Sequence, residues 1–136
     1  MKSSEGSMFS QPFHILVVDD QPIFRQVIGT LIREEGGRVT EAASAQEALH
    51  FLTNGLVIDG ITTDYRMPVM NGIDFVKVLR AMPEYAHIPI AVVSTENISS
   101  IAVEAKKVGA SIWIDKFSIV PNIPQWLGTV YASCPR

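Results

Sequence analysis

The chain predicts a doubly wound α/β domain, with five parallel strands alternating with five helices. Three observations carry this. Short continuous apolar runs, such as Ile15-Leu16-Val17-Val18 and Ile88-Pro89-Ile90-Ala91-Val92-Val93, read as strands buried on both faces. Segments with apolar residues at helical spacing separate them. Isolated polar residues end the runs: Asp19-Asp20, Asp64, Ser94 and Lys116. Open parallel sheets bind ligands at the carboxyl ends of their strands, where the strand order switches direction. Three carboxylates, a hydroxyl and an ammonium at four such ends therefore point to one site.

The length of 136 residues, 47% of them hydrophobic and 18% charged, fits a single globular domain with a substantial core. Residues 1–12 are polar, Ser-rich and end at Pro12, which predicts a flexible N-terminal tail. The domain itself is expected over 13–133, with a C-terminal tail at 134–136. Strand one spans 13–18. Pro22 suits the first turn of a helix carrying Ile23, Phe24, Val27, Ile28, Leu31 and Ile32, and Gly36-Gly37 stops it. Strand two spans 38–43. Ser44-Ala45-Gln46-Glu47 is a capping box that opens a helix bearing Ala48, Leu49 and Leu52 and ending at Asn54-Gly55. Strand three runs from about Val57 to Thr63 and delivers Asp64. The loop Tyr65–Gly72 leads to a helix with Ile73, Val76 and Leu79 on one face. Strand four is 88–93. Ile98, Ile101, Ala102, Ala105 and Val108 mark the next helix, closed by Gly109. Strand five is about 111–115, and Asn122 before Ile123-Pro124 opens the last helix, with Trp126, Leu127, Val130 and Tyr131. The expected strand order is 2-1-3-4-5.

Each polar residue has an ordinary reading beside the chemical one. Asp19-Asp20 alone fits a helix cap slightly better than a metal site. With Asp64 beside them, however, three carboxylates repel one another unless a cation is present, and Mg²⁺ takes carboxylates, waters and phosphate oxygens. Asp64 fits a loop start, or a nucleophile able to carry an acyl phosphate. Ser94 fits a strand-end cap, or a donor to a phosphate oxygen. Lys116 fits a surface cation, or the compensating charge of the acid trio. Trp113, by composition, packs against the core.

In order along 13–133, these features resemble the receiver domain of bacterial two-component response regulators, and are similar to single-domain, chemotaxis-type receivers. The acidic pair Asp19 and Asp20, the Asp-x-x-Met-Pro-x-Met-x-Gly segment from Asp64 to Gly72, Ser94, the aromatic Trp113 and Lys116 carry the likeness. The resemblance implies a flavodoxin-like fold with Asp64 as phospho-acceptor, taking phosphate from a histidine kinase or phosphotransfer protein. It implies Mg²⁺ (or Mn²⁺) held by Asp20, Asp64 and the backbone carbonyl of Arg66, with Asp19 acting through water. It further implies phosphate contacts from Ser94 and Lys116, a switch pair of Ser94 and Trp113, and tuning of phosphate lifetime by Arg66 and Glu96. The face formed by the fourth helix, fifth strand and fifth helix would then bind a downstream protein, an effector or a second copy.

Two positions depart from that pattern. Phe117 follows Lys116 where the family has a cis proline. A cis bond before Phe would cost ~3 kcal/mol, so the bond is expected to be trans and Lys116 less firmly placed. Asp115 stands where an apolar residue is commoner. These departures favour, as an alternative, a degenerate receiver that only binds. A Mg²⁺-dependent aspartate-nucleophile phosphatase is the enzyme alternative, but Gln21 stands where its second acid would be. A flavin mononucleotide carrier is disfavoured because the loop after strand one is acidic. The domain is thus expected to accept phosphate and to assist its own phosphorylation and dephosphorylation without being a turnover enzyme.

The net charge of −3 provides no basic footprint for nucleic acid and no polybasic segment for a membrane. The lone Cys134 and the polar N-terminus suit a cytoplasmic protein. The elements are used up by residue 133 with no output motif among them, so output is expected through a partner or a longer chain.

Overall fold

The computed structural model describes residues 12–96 and 99–134. Most of the expected tail, Ile98 and residues 135–136 lie outside them. The strands are β1 (His14–Val18), β2 (Arg38–Ala42), β3 (Gly60–Asp64), β4 (Ile90–Ser94) and β5 (Ile112–Asp115). The helices are α1 (Pro22–Glu34), α2 (Ala45–Thr53), α3 (Gly72–Arg80), α4 (Ser99–Lys107) and α5 (Ile119–Ser133). All strand pairs are parallel, in the order β2-β1-β3-β4-β5.

The period-two alternation of strand side chains divides the core into two layers. Leu16 and Val18 of β1, with Ile90 and Val92 of β4, pack against Ala48 and Leu52 of α2 and Phe75, Val76 and Leu79 of α3. Ile15, Val17, Ala91 and Val93 point the other way, onto Ile28 and Ile32 of α1 and Ile123, Trp126, Leu127 and Val130 of α5. Continuous apolar strands are what such two-sided burial requires.

The helix starts follow local chemistry. Ser44 Oγ accepts from the N–H of Glu47 at 3.0 Å, and Glu47 Oε1 accepts from that of Ala43 at 2.7 Å. Asn71 Oδ1 caps α3 by accepting from the N–H of Asp74 at 2.9 Å. Pro22 occupies the start of α1, but the preceding Gln21 makes no side-chain cap.

The largest boundary differences from expectation are at β3 and α5, while β4 starts two residues later, at Ile90. β3 begins at Gly60 rather than near Val57, which is 79% exposed and contributes nothing to the core. α5 begins at Ile119 rather than at Asn122, because a 3-10 turn over Lys116–Ser118 runs directly into it and leaves Pro124 inside the helix. Pro124 has no N–H for the carbonyl four residues back, a cost borne near the helix start, where the apolar face of α5 is already buried.

The loop between β3 and α3 approaches its own strand closely. A Cβ added at Gly72 would collide with the carbonyl oxygen of Asp64. At its tip, Val69 has φ 73° and is 94% exposed, inside a γ-turn in which Met70 N–H donates to Pro68 O at 2.8 Å. A β-branched residue there is strained. Gly72→Ala is therefore expected to lower the urea unfolding free energy by about 2–3 kcal/mol. Val69→Gly should raise it by about 1 kcal/mol, the strain relief exceeding the backbone entropy of glycine.

Candidate functional site

The site lies at the carboxyl ends of β1, β3, β4 and β5, where the sheet topology brings together residues 19, 64, 94 and 116. Asp19, Asp64, Ser94 and Lys116 are all buried, whereas Asp20 is exposed. The Lys116 ammonium is the centre of the arrangement. It lies 2.9 Å from Asp19 Oδ2 and 3.3 Å from Asp64 Oδ2. It donates to Gln21 Oε1 at 2.9 Å and sits 4.2 Å from the centre of the Phe24 ring.

The reading of the acidic pair as a helix cap does not hold, since the residue before α1 is Gln21; Asp19 instead forms a turn in which its Oδ1 accepts the N–H of Gln21 at 2.9 Å. Its backbone is fixed as well. The Asp19 N–H donates to Ala42 O at 3.0 Å, and Arg25 Nη1 donates to the Asp19 carbonyl at 2.6 Å. Arg25 in turn pairs with Glu41 at 3.4 Å.

Burial pushes the Asp64 carboxyl up to about 6, helped by the negative charge of Asp19 and opposed by Lys116. One oxygen from each of Asp19, Asp20 and Asp64 lies within 4.8 Å of the others. Asp19 Oδ2 is buried with no hydrogen bond aligned on it, although the ammonium is close. A hard, all-oxygen set of three carboxylates, one of them solvent-facing, fits Mg²⁺.

The remaining expected residues lie on one rim. Ser94 Oγ accepts the N–H of Glu96 at 3.0 Å, and its own proton is left to donate elsewhere. Arg66 makes two hydrogen bonds to Glu96, at 3.0 and 3.3 Å, and these hold the Glu96 carboxyl below its usual range. Trp113 Nε1–H donates to the Glu96 carbonyl at 3.3 Å, and its ring lies 5.8 Å from that of Tyr65. Trp113 is thus tied to the rim as well as packed.

The two departures do not open the site. No cis peptide occurs among the described residues, as expected for Phe117, but Lys116 is firmly held rather than loose. Asp115 Oδ1 accepts the N–H of Phe117 at 2.9 Å and caps the turn. Sequence reasoning missed Gln21, Phe24, Arg25 and this use of Asp115. The available signals were weak: an uncapped helix start at Gln21, and a Phe that also fits the apolar face of α1.

The sequence profile described as the response regulator receiver domain matches residues 15–125. A rice protein, two-component response regulator ORR12, is 32% identical over 117 residues, covering 86% of this chain and 97% of its own. A Campylobacter jejuni protein, the chemotaxis protein CheY homolog, is 38% identical over 114 residues, covering 83% and 85%. Among solved structures, the Vibrio cholerae chemotaxis response regulator CheY4 superposes with a TM-score of 0.80 at 32% identity, covering 88% and 99%. The likeness spans plants and bacteria, so it does not support the bacterial label carried by the initial resemblance.

An acid whose pKa is raised on folding holds its proton more tightly in the native state. The fold therefore loses stability as pH rises from the ordinary carboxylate range to about 6. Asp64→Asn removes that penalty. In metal-free buffer its melting temperature is expected to exceed the wild type's by a few degrees at pH 7, with the difference shrinking toward pH 4. Differential scanning calorimetry across this range checks both the sign and the pH window.

Proposed function

The chain belongs to the response regulator receiver domains, and from that membership we propose that it is a phospho-accepting switch with Asp64 as the acceptor. The observation that carries this reading is the Lys116 ammonium, 3.3 Å from Asp64 Oδ2 in a buried pocket at the strand ends. The donor is the phosphohistidine of a histidine kinase or phosphotransfer protein. An Asp64 carboxylate oxygen attacks phosphorus, an O–P bond forms, and the N–P bond breaks with its electron pair returning to the imidazole. The transition state is loose, so positioning and charge stabilisation do most of the work. With a pKa of about 6, Asp64 is mainly ionised near neutrality and able to attack.

Bound Mg²⁺ (or Mn²⁺) would neutralise the transferring oxygens, held by Asp20, Asp64 and the Arg66 carbonyl, with Asp19 acting through water. Lys116 moves its contact from the Asp64 carboxylate to the phosphoryl oxygens, and Ser94 donates its free proton to the same group. As Ser94 is drawn inward, the Glu96 backbone that it shares with Trp113 shifts, and the α4–β5–α5 face changes shape. That face then binds a downstream partner, an effector domain or a second copy of the chain. Arg66 and Glu96 cover one approach to the phosphoryl group and set its lifetime.

The domain, over 13–133, assists its own phosphorylation and hydrolysis without turning over a separate substrate, and works in the cytoplasm. Among the described residues no helix is long and apolar enough to cross a membrane. Against the degenerate-receiver alternative stands the intact Lys116 contact set; against the phosphatase stands Gln21, whose amide holds Lys116.

Intact-mass measurement after incubation with Mg²⁺ and acetyl phosphate tests the reading. The wild type is expected to gain one labile phosphate, and chelation of the metal or Asp64→Asn should abolish the gain. No uptake by the wild type, or an acid-stable phosphate on Asp64→Asn, would remove Asp64 from the acceptor role.

A further inference from the structure

Lys116 reaches three acceptors with one ammonium, so its usefulness depends on the direction in which the main chain releases it. We propose that Asp115 is a positioning residue for Lys116, acting through the turn that it caps. This rests on the reading of Asp64 as phospho-acceptor.

Asp115 ends β5 with an extended backbone, φ −71° and ψ 129°, level with Ser94 at the end of β4. Its Oδ1 accepts the N–H of Phe117 at 2.9 Å and starts the 3-10 turn Lys116–Ser118. Side chains in such a turn are about 120° apart around the axis. Lys116 consequently points into the pocket at 3% exposure, while Phe117 points out at 80%. A slip of one residue at the turn's start would exchange the two.

The contact that the structure gives the Asp115 carboxylate is with the main chain of the turn, at the N–H of Phe117. Proline would have no such donor. The two departures from the family pattern are therefore one device: the acid needs a donor two residues on, and the donor needs a residue other than proline. From the front, Gln21 Oε1 and the Phe24 ring hold the ammonium, while from behind the capped turn fixes the root of its flexible stem.

The test uses the full chain with Mg²⁺ and acetyl phosphate, reading the initial rate of phosphate uptake at Asp64. Asp115→Ala is expected to slow uptake about tenfold, the cost of a misdirected contact group. Asp115→Asn loses the same charge but keeps an oxygen that can accept the Phe117 N–H, and should react close to the wild-type rate. Asp115→Ser retains a weaker acceptor and should fall between them. Because Asn and Ala remove the charge equally, their difference reports the hydrogen bond. An Ala variant as fast as the wild type, an Asn variant slower than Ser, or equal rates for Asn and Ala would overturn the proposal. A wild type that takes no phosphate would overturn the acceptor reading and this inference with it.

Discussion

A buried ammonium between two buried carboxylates is the constraint on which the site depends. Lys116 lies 2.9 Å from Asp19 and 3.3 Å from Asp64, and all three side chains are withdrawn from water. None of them would be tolerable there alone, because an isolated charge loses hydration that only a close partner restores. Removing the lysine would leave two like charges facing each other, while removing both acids would strand a cation. The group is thus a specification of geometry more than a source of stability. It fixes where β1, β3 and β5 must end relative to one another.

The sheet meets that demand through its connections. Parallel pairing aligns the carboxyl ends, and the order 2-1-3-4-5 puts β1 and β3 side by side with β4 and β5 beyond. The register pairs Val18 with Thr63 and Ser94 with Asp115, so the residues that follow emerge at one level. Two apolar layers above and below hold the strands in that register, since a one-residue slip would exchange the side chains fitted to α2 and α3 with those fitted to α1 and α5. Core packing and site geometry are in this sense one specification.

That shared origin explains what could be read from the sequence. Strand ends and helix caps are local features, so Asp19, Asp20, Asp64, Ser94 and Lys116 could be placed from runs, turn residues and capping boxes. Gln21 and Phe24 could not, because their roles are set by a residue on the far side of the chain's sequence. Gln21 is a poor cap whose amide meets Lys116, and Phe24 shares the helical spacing of a core residue while its ring faces the ammonium. The start of α5 was misplaced for a related reason. Asn122-Ile123-Pro124 is a good local start signal, but the capped turn at Lys116 had already set the helix direction, and the packing of Ile119 and Ile123 outweighed the proline's missing bond.

The charge balance links the resting site to its function. Three carboxylates against one ammonium leave two negative charges in the pocket. In the protein alone, burial first and the neighbouring charge of Asp19 second push the Asp64 carboxyl up to about 6. A proton, however, satisfies only one charge and blocks the nucleophile. A divalent cation matches the excess and leaves the carboxylate ionised, so the donor set favours the second solution near neutrality. On the proposed reading, a phosphate on Asp64 would restore the negative charge, and the nearby groups to answer it would be Lys116, 3.3 Å from Asp64 Oδ2, and the hydroxyl of Ser94. Ser94 already shares the backbone of Glu96, and Glu96 carries the Trp113 ring and the Arg66 guanidinium. A charge change at Asp64 would therefore meet a rim whose hydrogen bonds run outward to β5 and the β3–α3 loop.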